Sequence, residues 1–227
     1  MHCFKCDIES DGKTEVCNNC GQPLESDADR YFKAGMEAMA AGDVDRAISL
    51  LKDCINLNPD HISGRYNLGL ALSLADRCDE AMGHYAAIAE ENPEHPGIYT
   101  ALGQAAFGSY LVHVEGAEMS RMAMMEFLMR AVRQDPEDVD ALFSLGNAYI
   151  AIDKPRQALP WLERALSIHQ DSPAIYYTIA KALNMMGEHD EAVEMAERSA
   201  QYSSPDDPFW DDIQMLLSEL QQGIMHF

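Results

Sequence analysis

The sequence predicts an all-α fold: a stack of helical hairpins, closed by one further helix and preceded by a small cysteine-bearing module. Three observations lead there. Small residues recur at a spacing of 34, at Gly35, Gly69 and Gly103 and again at Gly146 and Ala180. Ala47 and Ala81 keep the same step, as do Met124, Ala158 and Ala192, and Pro59 and Pro93. Within each period the apolar residues fall twice into the three-to-four-residue spacing of an amphipathic helix. One irregular step of 43, from Gly103 to Gly146 and from Ala81 to Met124, places nine extra residues between Gly103 and Met124.

Composition narrows the class. The chain has 227 residues, 47% hydrophobic and 24% charged, which is ordinary for a globular protein of one large or two small domains. Sixteen basic residues face 38 acidic ones, a formal charge of −22. Such a surface repels phosphate backbones and anionic lipid heads, so neither nucleic acid nor a membrane is the expected partner. No stretch approaches the roughly 18 apolar residues of a membrane span. The start, Met1-His2-Cys3-Phe4-Lys5-Cys6, carries no apolar signal region. A cytoplasmic location is expected, where disulfides are disfavoured and paired cysteines point to metal or redox chemistry.

The first element, residues 1–24, holds Cys3, Cys6, Cys17 and Cys20, two C-x-x-C pairs. Each pair aims two thiolates at one point, and two pairs supply the four soft ligands of a tetrahedral zinc site. Phe4, Ile8, Val16 and Leu24 are too little apolar material to fold such a segment, so the metal would supply much of its folding free energy. The run Val16-Cys17-Asn18-Asn19-Cys20-Gly21-Gln22-Pro23-Leu24 resembles short zinc ribbons at the termini of prokaryotic proteins. Iron in an all-sulfur site is the alternative metal. Residues 1–27 carry two lysines against six carboxylates, so the ribbon is expected to act as a metal-stapled cap or docking module.

Five hairpins then fill residues 28–206: 28–61, 62–95, 96–138 with the nine-residue insertion, 139–172 and 173–206. Tyr31, Ala34, Gly35, Ala38, Ala47, Leu51 and Pro59 set the pattern of the first. Arg65, Leu68, Gly69, Leu72, Ala81, Tyr85 and Pro93 repeat it in the second. The third has Tyr99, Leu102, Gly103, Ala106, Met124, Leu128 and Pro136, and the fourth has Leu142, Leu145, Gly146, Tyr149, Ala158 and Leu162. The fifth has Tyr176, Ile179, Ala180, Leu183, Ala192 and Ala196. This pattern resembles the tetratricopeptide repeat. The resemblance implies a superhelical solenoid in which each hairpin buries its apolar face against its neighbours. Gly42-Asp43 and Gly187-Glu188 suit the turns between helices. Residues 207–222 read as the capping helix, started by Asp207-Pro208 and buried through Phe209, Ile213, Leu216 and Leu220.

The same resemblance implies a concave groove, lined by the first helices, that holds a peptide or partner segment. Its lining would be Phe32, Met36 and Met39, then Tyr66, Leu70 and Ser73, then Thr100, Gln104 and Phe107. Phe143, Asn147 and Ile150 follow, then Tyr177, Lys181 and Asn184. The carboxylate clamp of chaperone-binding members is degraded here, since only Asn147 and Lys181 suit it. A mainly apolar ligand is expected instead, its amides met by Gln104, Asn147 and Asn184. The insertion carries Met119, Met122, Met124, Met125 and Met129, read chiefly as core, with a longer first helix as a second docking surface. No phosphate-binding loop, H-E-x-x-H or G-x-S-x-G occurs. The expected function is that of a non-enzymatic adaptor or scaffold, monomeric or weakly dimeric. A metal- or redox-responsive regulator sensing through the four cysteines is the first alternative. A nucleic-acid-associated factor is the second, opposed by the charge.

Overall fold

The structure, a computed structural model, describes residues 2–3, 8–9, 17, 19–20, 26–112, 117–207 and 209–224. Among these, two short strands, β1 (His2–Cys3) and β2 (Ile8–Glu9), pair antiparallel with Cys3 opposite Ile8. The remainder is helical. The chain divides into two compact units, Met1–Val114 and Glu115–Phe227.

In the first unit, α1 (Asp27–Ala40), α2 (Val44–Leu57), α3 (Ile62–Leu74), α4 (Cys78–Glu91) and α5 (Ile98–Val112) each pack on the next, and α1 also touches α3 as α3 touches α5. In the second, α6 (Ala117–Gln134), α7 (Val139–Ala151), α8 (Pro155–Ile168), α9 (Pro173–Met186), α10 (His189–Tyr202) and α11 (Trp210–Ile224) do likewise, and α7 touches α9. Tetratricopeptide-like hairpin stacking is therefore present in both units.

Local chemistry sets the helix starts. Ser26 and Asp29 form a reciprocal capping box on α1, the Asp29 N–H donating to Ser26 Oγ and the Ser26 N–H to Asp29 Oδ2, each at 3.1 Å. Asp43 and Asp138 accept from the first-turn N–H groups of Arg46 and Ala141. Pro155 and Pro173 open α8 and α9, where a missing N–H costs nothing. The corner between the two helices of a hairpin takes a positive φ: Gly42 at 74°, Asp76 at 57°, Asp153 at 58° and Gly187 at 79°. Glycine and aspartate share this corner because they tolerate the left-handed region best.

The hairpins close through glycines. A methyl group added at Gly69 would meet the ring of Tyr85 at 2.6 Å, and one at Gly35 would meet Leu51 at 2.8 Å. Gly146 stands equally close to Leu162. Leu51, Tyr85 and Leu162 are buried, so each second helix drives one large side chain into the gap left by a missing Cβ. The core is this line of contacts plus the leucines and alanines around it.

The insertion differs from the expected single long helix. Compared with α3 and α4, α5 ends about one turn late and α6 starts about one turn early. The methionines divide accordingly. Met124 is fully buried and Met125 and Met129 are half-buried, whereas Met119 and Met122, on or beside the added turn, are 79% and 64% exposed.

The C-terminal helix also begins later than its sequence suggests. Asp207 Oδ1 accepts from the Phe209 N–H, and its carbonyl accepts from the Trp210 N–H, so the carboxylate caps a preceding turn and α11 starts at Trp210. Ile213, Leu216 and Leu220 are buried, the two leucines in a cluster with Ala180 of α9 and Ala192 and Ala196 of α10, but Phe209 is exposed. No helix among the described residues is long and apolar enough to cross a membrane.

The glycine contacts generate a paired prediction. Gly69→Ala forces a methyl into a rigid ring and should cost on the order of 1–2 kcal/mol net, after the roughly 1 kcal/mol gain in helix propensity. Gly83→Ala, on an open face of α4 with nothing within 4 Å, should keep that gain. Thermal melts should shift in opposite directions; a stabilising Gly69→Ala would refute the close-approach account.

Candidate partner-binding faces

The first helices carry two columns of side chains in the 34-residue register, set by one helical turn. The inner column holds Phe32, Tyr66 and Thr100 in the first unit and Phe143 and Tyr177 in the second. The outer column holds Met36, Leu70 and Gln104, then Asn147 and Lys181.

The inner column is a shelf. Phe32 lies on His61 with ring centroids 5.0 Å apart, and His61 is the residue that starts α3. Tyr66 is held between Tyr85, at 5.4 Å, and His95, at 5.6 Å. Tyr177 packs with Leu183, Val193, Met195 and Leu217 against the cluster that α11 completes, and its hydroxyl pKa is raised, mainly by desolvation and then by Asp212 and Glu219. Phe32, Tyr66 and Tyr177 lean on later elements of the chain and are half-buried. Thr100 and Ile150, expected in the lining, are buried.

The outer column is open. Met36 is 36% and Leu70 39% exposed, large apolar side chains held in water above the aromatic shelf. Gln104 and Lys181 are exposed; Phe107, Phe143 and Asn147 are half-buried. Asn184, expected to serve a ligand backbone, has its carbonyl oxygen 3.1 Å from Nδ1 of His189 and is engaged locally.

His61, one of eight histidines in the chain, is not a solvated surface residue. Its Nδ1 accepts from the Gly64 N–H at 2.8 Å, capping α3, and its Nε2 lies 3.3 Å from Asp29 Oδ1. Capping through Nδ1 leaves the proton on Nε2, facing the carboxylate. The signal that could have found it is its place, two residues after Pro59 and directly before an amphipathic run.

The cysteines separate into two groups. Cys54 is fully buried with its sulfur against Gly64, and burial, with Asp29, pushes its thiol pKa up. Cys78 opens α4, buried against Gly108; desolvation, then Asp76 and Asp79, raise its pKa, the opposite of the depressed pKa of an activated thiol. At the N-terminus, Cys17 is buried, Cys20 is half-buried in a turn with Asn19, and Cys3 lies in β1. Cys6 falls outside the described residues. Among the described residues no three metal-ligating side chains converge, and the four-thiolate set extends beyond them.

Comparison with known proteins follows the same lines. Family models described as tetratricopeptide repeat match residues 38–107 and 118–202. Anaphase-promoting complex subunit 3 of Schizosaccharomyces pombe is 22% identical over 185 residues, 82% of this chain and 26% of that protein. The chain thus spans about a quarter of that relative's length. Among solved structures, the thermophilic protein TTC0263 of Thermus thermophilus superposes with a TM-score of 0.71 at 20% identity, covering 86% of this chain and 99% of that one. YrrB, described as having an unusual peptide-binding site, gives 0.59 at 16% identity, covering 86% and 92%.

Two outcomes follow from the Asp29–His61 contact. His61→Ala should cost about 1–2 kcal/mol in denaturant titration, and His61→Asn, which keeps a capping acceptor, should recover part of it. Asp29 is held below the ordinary aspartate range, first by the Ser26 hydroxyl and further by His61. Its contribution is therefore complete above that range and is lost as pH falls through it. Asp29→Asn should flatten this acid limb of the stability profile; an unchanged limb would count against the assignment.

Proposed function

The chain belongs to the tetratricopeptide-repeat family, and on that basis we propose that it is a protein-interaction adaptor or scaffold. It grips a peptide or partner segment on the first-helix faces of its hairpins and makes or breaks no covalent bond. One observation carries this reading: Met36 and Leu70 stand exposed, one repeat apart, above a shelf of rings already fixed in place. Exposed apolar side chains on a pre-ordered base lose little entropy on binding and suit anchor contacts. The curated relative's standing as a complex subunit and YrrB's peptide-binding site support the same direction.

The two units ask different things of a ligand. The first offers Met36, Leu70 and Phe107, which take apolar side chains. The second offers Asn147 and Lys181, which take a backbone amide and a carboxylate.

Within the same proposal, Cys3, Cys6, Cys17 and Cys20 hold one zinc ion that staples residues 1–24. Support comes from the donor chemistry and from the burial of Cys17 in a segment with almost no apolar residues of its own. The metal supplies folding free energy, and the partner faces do not depend on it.

Each half has a test. Met36→Glu with Leu70→Glu should reduce capture of partners, quantified by mass spectrometry after affinity purification, by roughly tenfold or more with an unchanged melt. Undiminished capture of every partner overturns the groove reading. Metal analysis should give one zinc per chain, lost in the Cys17→Ser, Cys20→Ser variant while the helical circular dichroism persists. A metal-free wild-type protein overturns the ribbon, and one iron per chain would replace zinc in it.

A further inference from the structure

We propose that the junction between the first two hairpins is a proton-operated latch, released when the ring of His61 takes a second proton, and that the next junction is built to ignore pH. The two junctions use histidines one repeat apart, His61 and His95, with opposite hydrogen-bond polarity.

At the first junction both ring nitrogens of His61 are committed. Nδ1 accepts from the Gly64 N–H at 2.8 Å, and Nε2 faces Asp29 Oδ1 at 3.3 Å. Phe32 lies on the ring with centroids 5.0 Å apart, and the side chain is only 13% exposed. A neutral imidazole has one donor and one acceptor, so a second proton has to enter at Nδ1, the atom that accepts. The imidazolium has no acceptor left. Its Nδ1–H then confronts the Gly64 N–H, and its charge stands at the positive end of the α3 dipole. The Nδ1 edge is tight: a methyl added at Gly64 would meet the Cys54 sulfur at 2.8 Å and Nδ1 at 3.0 Å. That sulfur belongs to a neutral thiol, a weak acceptor that does not replace the cap.

Asp29 supplies the opposing pull. The Ser26 hydroxyl, then His61, hold its carboxyl below the ordinary aspartate range, so it stays ionised while histidine titrates and retains the imidazolium as an ion pair. The groups that face the ring are therefore Asp29 from α1 and Cys54 from α2. Arg65 of α3 is turned to Glu91 of α4 and to the Pro59 carbonyl. Protonation exchanges a helix cap for an ion pair.

The second junction has no such exchange. Nδ1 of His95 lies 2.9 Å from the carbonyl oxygen of Pro96. A carbonyl only accepts, so Nδ1 carries the proton and the free nitrogen is Nε2. A proton added there leaves that bond intact, and the ring keeps its place on Tyr66. Sequence accounts for the difference. His61-Ile62-Ser63-Gly64 becomes His95-Pro96-Gly97-Ile98. The Ile98 N–H, counterpart of the Gly64 N–H, donates to the His95 backbone carbonyl at 3.3 Å and needs no ring acceptor. Phe32 and Met36 stand one turn apart on α1, so the latch works beneath the first exposed side chain of the outer column. It does not depend on what that column binds.

The test is NMR on the isotope-labelled full chain from about pH 8 to about pH 5, the range in which histidine charges. At the alkaline end, imidazole nitrogen shifts should report Nε2–H for His61 and Nδ1–H for His95. As His61 charges, hydrogen-exchange protection of the Gly64 amide, corrected for its intrinsic rate, should fall roughly five- to tenfold. Protection at Ile98 should hold while His95 charges. His61→Asn, which keeps a capping acceptor, should make Gly64 protection independent of pH. Asp29→Asn should move the transition to lower pH without abolishing it. Should either variant fail to fold, the wild-type titration decides alone. A His61 that stays neutral throughout, that carries its proton on Nδ1 at the alkaline end, or that charges with Gly64 still protected overturns the latch. So does an equal loss at Ile98, since acid then loosens both junctions alike.

Discussion

The contact on which much else rests is the close approach of two helix backbones within the first, second and fourth hairpins. Gly35 faces Leu51, Gly69 faces Tyr85 and Gly146 faces Leu162, the partner always sixteen residues on. Removing one Cβ opens a notch, and the second helix fills it with its largest buried side chain. Interiors pack to crystal density, so a notch and a knob of fixed separation leave the two helices few other registers. At the last hairpin the solution is inverted: Ala180 and Ala196, both fully buried and both small, meet without a knob, and the cluster is completed by Leu216 and Leu220 of α11. A small–small contact buries less apolar surface, which is why this hairpin draws on a further helix.

A second layer of order sits at the junctions between hairpins. His61 caps α3, faces Asp29 of the preceding hairpin and carries the ring of Phe32. His95, one repeat later, stacks on Tyr66. The same ring position therefore fixes the angle at which each of these hairpins meets the next, and the exposed column above it inherits a defined geometry.

Much of the fold was legible because it is periodic. Five copies of a small-residue pattern give the register, and the register gives the helices and the nine-residue irregularity. The positive-φ corner was readable at Gly42 and Gly187 but not at Asp76 and Asp153, where aspartate occupies a conformation that its identity only permits. The candidate site was half legible. Periodicity placed Phe32, Tyr66 and Tyr177 on one face, yet it cannot tell a ring that faces water from one that rests on the next element. That choice depends on His61, His95 and α11, all from outside the helix in question. Thr100 and Ile150, placed on the same face by spacing, are buried. Splitting the insertion between α5 and α6 followed from helix continuation on both sides, which spacing alone does not encode.

Burial of two thiols has a practical consequence. Cys54 is fully buried in the first unit, whereas Cys78 is 9% exposed and borders a small pocket with Ser109 and Val112; both have their ionisation suppressed, so a maleimide should reach Cys78 first and Cys54 only when the surrounding hairpins breathe. Labelling at these positions, followed over time, becomes a native clock for local opening, one sulfur reporting on α2 and the other on α4 without any engineered probe.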